Sequence, residues 1–254
     1  MDWDALILFM LITGRMTGFI VFNPLLGRRG IPGMVKSGFI LLLSLCVYSM
    51  TPPGGEMPST LWGLAFAFLM ELLLGYVLGL VINIFFYIPL MAGSVIDMQM
   101  GLSMGATYDP SSGAQVTVTS TLLNVLMSLL FFVSNAHHTL LLIMAGSGRV
   151  VPFGRVALGE DFYPAMIEIF IECTILGVKL CMPVLAAELM GQVGMGILMK
   201  AIPQINVFAI NIELKVLIGL TLTLILMVPF SEFLLEAESE MLLTLQRLLP
   251  LMSG

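Results

Sequence analysis

The chain has 254 residues, 59% of them hydrophobic and only 10% charged, with a formal net charge of −6. Soluble domains carry roughly 25% charged residues, so a soluble globular domain is excluded and an integral membrane protein is expected. The negative balance argues against nucleic acid or anionic lipid as a partner.

In chain order, the first apolar run covers residues 5–26 and contains Arg15, Asn23 and a Gly14-x-x-x-Gly18 pair. The Met-Asp-Trp-Asp start lacks the basic region of a secretory signal, so this run is expected to be retained. It ends at Asn23-Pro24 and the basic turn Gly27-Arg28-Arg29-Gly30-Ile31-Pro32-Gly33. The second run, 34–50, is short against the roughly 20 residues of a spanning helix, and Thr51-Pro52-Pro53-Gly54-Gly55 stops it. The third run, 61–92, would be about 48 Å long as one helix, against a hydrocarbon core of about 30 Å. It is expected to tilt, to break near Pro89, or to leave the bilayer. The fourth run is 116–145. The fifth, 164–190, leads into 191–206, where Gly191-x-x-Gly194-x-Gly196 reads as a flexible linker between helices. The last run is 207–233, followed by a tail with Glu232, Glu236, Glu238 and Glu240 at helical spacing. No spacer rich in Pro, Ser or charge divides the chain, so a single membrane domain over 1–254 is expected.

Residues 93–115 stand apart from these runs. They combine Gly, Ser and Met with Asp97, Asp109 and Pro110. The composition is too polar for a spanning helix and too apolar for an ordinary solvated loop. Non-helical backbone at membrane depth survives where protein buries it or where it lines a water-filled cavity. A path-lining segment and an extramembrane loop whose methionines pack on a neighbour both fit the residues.

Many ionisable groups lie inside the apolar runs: Arg15, Glu71, Glu168, Glu172, Lys179, Glu188, Glu213 and Lys215. Each costs about 2.5–3.5 kcal/mol at the centre of an isolated membrane helix. They are therefore paired, wetted, or set against other protein. Glu168 and Glu172 are four residues apart and share a helix face, with Lys179 two turns on. Glu213 and Lys215 point to different faces. Solvation at helix ends and burial in an assembly both account for them. The positive-inside rule makes the loop with Arg28, Arg29 and Lys36 cytoplasmic. Six simple spans would then put Arg149 and Arg155 outside, so either the span count differs or some helices do not cross.

Gly14-x-x-x-Gly18 and Gly75-x-x-x-Gly79 lie in helical runs and can bring backbones together; Gly101-x-x-x-Gly105 has the same spacing. Cys46, Cys173 and Cys181 form no CxxC and read as buried thiols. No phosphate loop, HExxH or nucleophile elbow occurs. His137 and His138 are adjacent and diverge on a helix, which suits a polar or capping role better than a metal. A carboxylate dyad of Asp97 and Asp109 is disfavoured because Pro110 and the Gly/Ser loop leave it no rigid support. No cofactor, metal or enzymatic activity is expected. Pro203 ends a helix, and Asn206 reads as an N-cap.

Several stretches taken together resemble one family. They are Arg15 with Asn23-Pro24 and Gly27…Ile31-Pro32, Glu71-x-x-x-Gly75-x-x-x-Gly79, and Gly93-x-x-Ile96-Asp97-x-Gln99-x-Gly101. Asp109-Pro110, Asn135-Ala136-His137, Met182-Pro183 and Ile202-Pro203-Gln204-Ile205-Asn206-Val207-Phe208 follow in order. The chain resembles the FliR family of flagellar export-gate proteins, whose relatives serve virulence type III secretion. Pro203, Gln204, Asn206 and Phe208 belong to the most specific stretch; Lys200 stands where some members carry Arg.

The resemblance implies an all-α integral membrane protein of bent helical hairpins in a hetero-oligomeric export gate. Partners would be FliP-like and FliQ-like subunits, an FlhB-like protein and unfolded export substrates. The location would be the bacterial inner membrane at the flagellar basal body. The resemblance also implies that a segment within 98–115 closes the pore, with Met98, Met100, Gly101, Met104, Gly105, Thr107, Tyr108, Asp109, Pro110 and Gly113 forming it. Arg15, Glu71, Glu168, Glu172, Lys179, Glu213 and Lys215 are assigned to subunit contacts. The alternative is a secondary transporter or small-solute channel, which would work alone or as a small homo-oligomer.

Overall fold

A computed structural model describes residues 3–28, 30–51, 60–102, 107–109, 114–201 and 207–253. Among these the fold is all-α, apart from one short hairpin. The helices are α1 (Trp3–Phe22), α2 (Gly33–Met50), α3 (Leu61–Met100), α4 (Val118–Val133), α5 (Ala136–Val150), α6 (Phe162–Ala201), α7 (Val207–Ile225) and α8 (Met227–Leu248). A 3₁₀ turn, Leu249–Met252, closes the described chain. Strands β1 (Thr107–Asp109) and β2 (Ala114–Val116) pair antiparallel, Thr107 opposite Val116. Among the described residues, four helices are long and apolar enough to cross a membrane, or up to six if each of two bent pairs counts as one span.

Local chemistry explains most boundaries. The Asn23 side chain accepts the N–H groups of Leu25 and Leu26 at 2.9 and 3.1 Å, an Asx turn that ends α1. At α4, the Thr117 N–H donates to Ser120 Oγ at 2.9 Å, which satisfies one donor at the helix start. Pro229 falls at the third position of α8, where its missing N–H is harmless, and the chain breaks just before it.

Three boundaries differ from expectation. α3 does not break near Pro89 but runs through it for 40 residues, about 60 Å, to Met100. Residues 93–100 are therefore helical, and irregular backbone begins at Gly101, with φ 82°. α6 likewise carries Pro183 and all three glycines of Gly191-x-x-Gly194-x-Gly196 inside a 40-residue helix, so the expected linker from 191 is helical as far as Ala201. Neighbouring helices and local adjustment re-satisfy the carbonyls that proline frees in apolar helices, so proline does not force a break there. The fourth run does break, at Ser134–Asn135, where Asn135 takes φ 59°. Asn is among the few L-residues that visit this left-handed region routinely.

The chain forms two compact units. One comprises Met1–Phe85, Asn135–Ile171 and Glu238–Gly254; the other comprises Phe86–Ser134 and Glu172–Ala237. In the first unit α1 packs on α2 and on the first half of α3. A Cβ on Gly75 would overlap the Arg15 carbonyl oxygen, and one on Gly18 the Leu72 carbonyl oxygen, so these two helices touch backbone to backbone. Phe9 meets Tyr48 edge-on, with ring centroids 5.9 Å apart. The C-terminal turn is pinned to the segment before α6: the Ala157 N–H donates to Met252 O at 3.1 Å and the Gly159 N–H to Leu251 O at 3.0 Å. In the second unit Phe86 meets Phe131 edge-on at 5.9 Å, and Gly177 gives Met91 room.

Candidate functional site

Among the described residues, each unit contains a buried polar cluster that its sequence positions do not reveal. In the first unit Arg15 and Glu71 are both 0% exposed. Arg15 Nε donates to Glu71 Oε2 at 2.6 Å and Nη2 to Oε1 at 3.1 Å, a two-point contact suited to a guanidinium. The remaining donors reach Ser147 Oγ and the Val151 carbonyl, each at 3.0 Å. Glu71 Oε1 also accepts the Gly154 N–H at 2.7 Å. The guanidinium carbon lies 4.1 Å from the centre of the Phe153 ring, a cation–π contact. The cluster ties α1, the first half of α3, α5 and the turn after α5 into one piece. Arg15 and Glu71 were expected at subunit contacts; here their charges point inward to each other and present no surface to another chain. A charged pair this deep needs its remaining donors and acceptors satisfied from within the fold.

In the second unit Asp97 is 0% exposed, on the last turns of α3. Its Oδ2 accepts the Thr119 N–H at 2.7 Å and its Oδ1 the Thr119 hydroxyl at 2.6 Å. Thr119 is the second residue of α4, so its N–H is one of the donors that a helix start leaves open. One turn earlier on α3, Gly93 lies against Ser120, and a Cβ there would overlap the Ser120 Cα and backbone N. The β1–β2 hairpin hangs between these two helix ends. Asp97 is thus committed to Thr119 with both oxygens.

The other expected residues of the closing segment fall in three groups. Met98 is 73% exposed and Gly101 is exposed, whereas Met100 is buried, its sulfur set over Gly219. Thr107, Tyr108 and Asp109 form β1. Met104, Gly105, Pro110 and Gly113 lie outside the described residues, as do Pro203, Gln204 and Asn206; Phe208 lies in α7. Of the charged residues, Glu168, Glu172 and Lys179 are exposed along α6, Glu213 is exposed on α7, and Lys215 is half-buried.

Glu188 adds a feature that its place in an apolar run marks only as unusual. It is 1% exposed, and among the described residues neither carboxylate oxygen has a hydrogen-bond partner. It faces Gly219, with Lys215 within electrostatic reach one turn away on α7.

Residues 6–241 match the family described as bacterial export proteins, family 1. The chain is 30% identical to the flagellar biosynthetic protein FliR of Bacillus subtilis strain 168, over 86% of this chain and 85% of that one. It is 28% identical to the FliR of Caulobacter vibrioides, over 84% and 85%. It is 24% identical to the Yop proteins translocation protein T of Yersinia pestis, over 94% and 92%. The chain belongs to the bacterial export proteins, family 1.

Proposed function

We propose that this chain is a core subunit of the flagellar type III protein export gate. It helps form and close the pore through which unfolded flagellar subunits leave across the inner membrane at the basal body. One observation carries the reading: a short β-hairpin is suspended between two apolar helices of a chain that an export family matches over residues 6–241. A hairpin pairs its own backbone groups, so it tolerates a water-lined path where lipid-exposed irregular backbone would not survive. The segment 98–115 closes the path at rest and yields to an extended chain. The conduit role asks for no bond-making chemistry, and the chain acts as structure and not as catalyst.

The partners are FliP-like and FliQ-like subunits and an FlhB-like protein. Glu168, Glu172 and Lys179 supply contacts from an otherwise apolar exposed face of α6, and Glu213 and Lys215 from α7. Exposed charges in such a face are costly against lipid and are met by complementary charge on another chain. Co-expression with FliP-like and FliQ-like proteins, followed by native mass spectrometry, should yield a defined hetero-oligomer containing this chain. A chain that stays alone while those partners assemble without it would overturn the reading. In the assembled gate, deleting residues 107–113 should raise resting permeability; unchanged permeability would remove the closing role.

A further inference from the structure

Given the closing role proposed above for the 98–115 segment, we infer that Asp97 is a positioning residue that clamps the roots of the hairpin together. It stays engaged while substrate passes. The clamp has two levels. At Gly93, α3 and α4 approach so closely that a Cβ would overlap the Ser120 backbone. One turn on, both oxygens of the fully buried Asp97 are taken by Thr119, at 2.7 and 2.6 Å. The bonds are charge-assisted, and the carboxylate meets the positive end of α4, worth about half an elementary charge.

Opening this contact would leave a carboxylate and a helix-start N–H buried without each other. Losing such a bond shifts an equilibrium by a factor on the order of ten to a hundred. The hairpin has a cheaper place to change direction. Gly101, with φ 82°, stands directly beyond the clamp, and a Cβ there would meet nothing within 4 Å. The strand pairing from Thr107 opposite Val116 also starts outside the clamp. Rearrangement of the hairpin therefore takes place outside the clamp, which aims the hairpin from a fixed base. A merely structural Asp97 would affect the amount of complex; a positioning Asp97 affects its seal at constant amount.

The test uses the whole assembled complex in planar bilayers with potassium chloride, alongside export of a flagellar substrate by cells carrying the same variants. Asp97→Ala should raise resting potassium conductance about tenfold or more with complex yield unchanged. Thr119→Val, which keeps the backbone bond, should give a smaller rise. Thr119→Ser, which keeps both, should seal like wild type. Should Asp97→Ala prevent assembly, the Thr119 pair carries the same comparison. An Asp97→Cys/Thr119→Cys chain should seal and export when the disulfide is formed, and leak when it is reduced. If deletion of 107–113 leaks while Asp97→Ala and Thr119→Val conduct like wild type, the clamp is wrong and the closing role stands. If the oxidised double variant seals but cannot export, the clamp must open in each cycle and the fixed-base assignment falls. If the deletion itself does not leak, the closing role is wrong and the clamp falls with it.

Discussion

Removing one member of the Arg15–Glu71 pair should cost far more than removing both. With Arg15→Met, Glu71 keeps the Gly154 N–H at 2.7 Å but loses two guanidinium donors at 2.6 and 3.1 Å, in a site that is 0% exposed. Breaking a buried pair from one side costs about 3–5 kcal/mol. Glu71→Leu leaves Arg15 its bonds to Ser147 and Val151 and the Phe153 ring, so its cost should fall at the lower end, about 3 kcal/mol. Arg15→Met with Glu71→Leu fills the volume with apolar atoms and strands only neutral groups: the Gly154 N–H, the Val151 carbonyl and the Ser147 hydroxyl, the last free to turn to a carbonyl of its own helix. Its total should be about 2 kcal/mol. The coupling between the sites should then be at least about 4 kcal/mol. Unfolding of the detergent-solubilised chain in mixed micelles with increasing SDS, followed by circular dichroism, gives the four free energies of the cycle. Single changes costing under about 1 kcal/mol, or a double variant equal to the sum of the singles, would refute the internal ion pair.

Three further outcomes follow from contacts of described residues. Gly75→Ala should lower stability by about 1–3 kcal/mol through overpacking against the Arg15 backbone. Gly38→Ala on α2, where a Cβ meets nothing within 4 Å, should leave stability unchanged or raise it by up to about 1 kcal/mol; equal effects in the same SDS titration would contradict the close crossing of α1 and α3. Asn135→Gly should be tolerated, while Asn135→Val should cost about 1–2 kcal/mol because φ 59° disfavours a β-branched residue. Limited proteolysis of solubilised protein near the α4–α5 junction would report the difference. Joint Glu168→Lys and Glu172→Lys substitution, at exposed positions, should leave the isolated chain within about 0.5 kcal/mol of wild type yet abolish co-purification with partner subunits. Retained co-purification would remove these residues from the interface.

The sequence by itself determined the class of the molecule. Its long apolar runs and scarcity of charge required membrane helices, because only paired backbone is stable in lipid. Asn23-Pro24 marked the end of α1, and the paired small residues of α1 and α3 foretold where backbones touch. The ordered motifs pointed to the export family that the comparisons support.

Tertiary structure decided what local sequence leaves open. Pro89 marked a possible break and is not one, whereas the fourth run, read as continuous, breaks at Asn135, because packing and neighbouring groups settle whether a lost hydrogen bond is replaced. Arg15 and Glu71 stand 56 positions apart, and Asp97 and Thr119 stand 22 apart. No periodicity links such pairs; only the crossing of α1 with α3, and the close approach of α3 to the start of α4, brings them within bonding distance. The sequence could say that each buried charge needs a partner, since an unpaired one is too costly in an apolar interior. Which partner it has is a property of the folded chain.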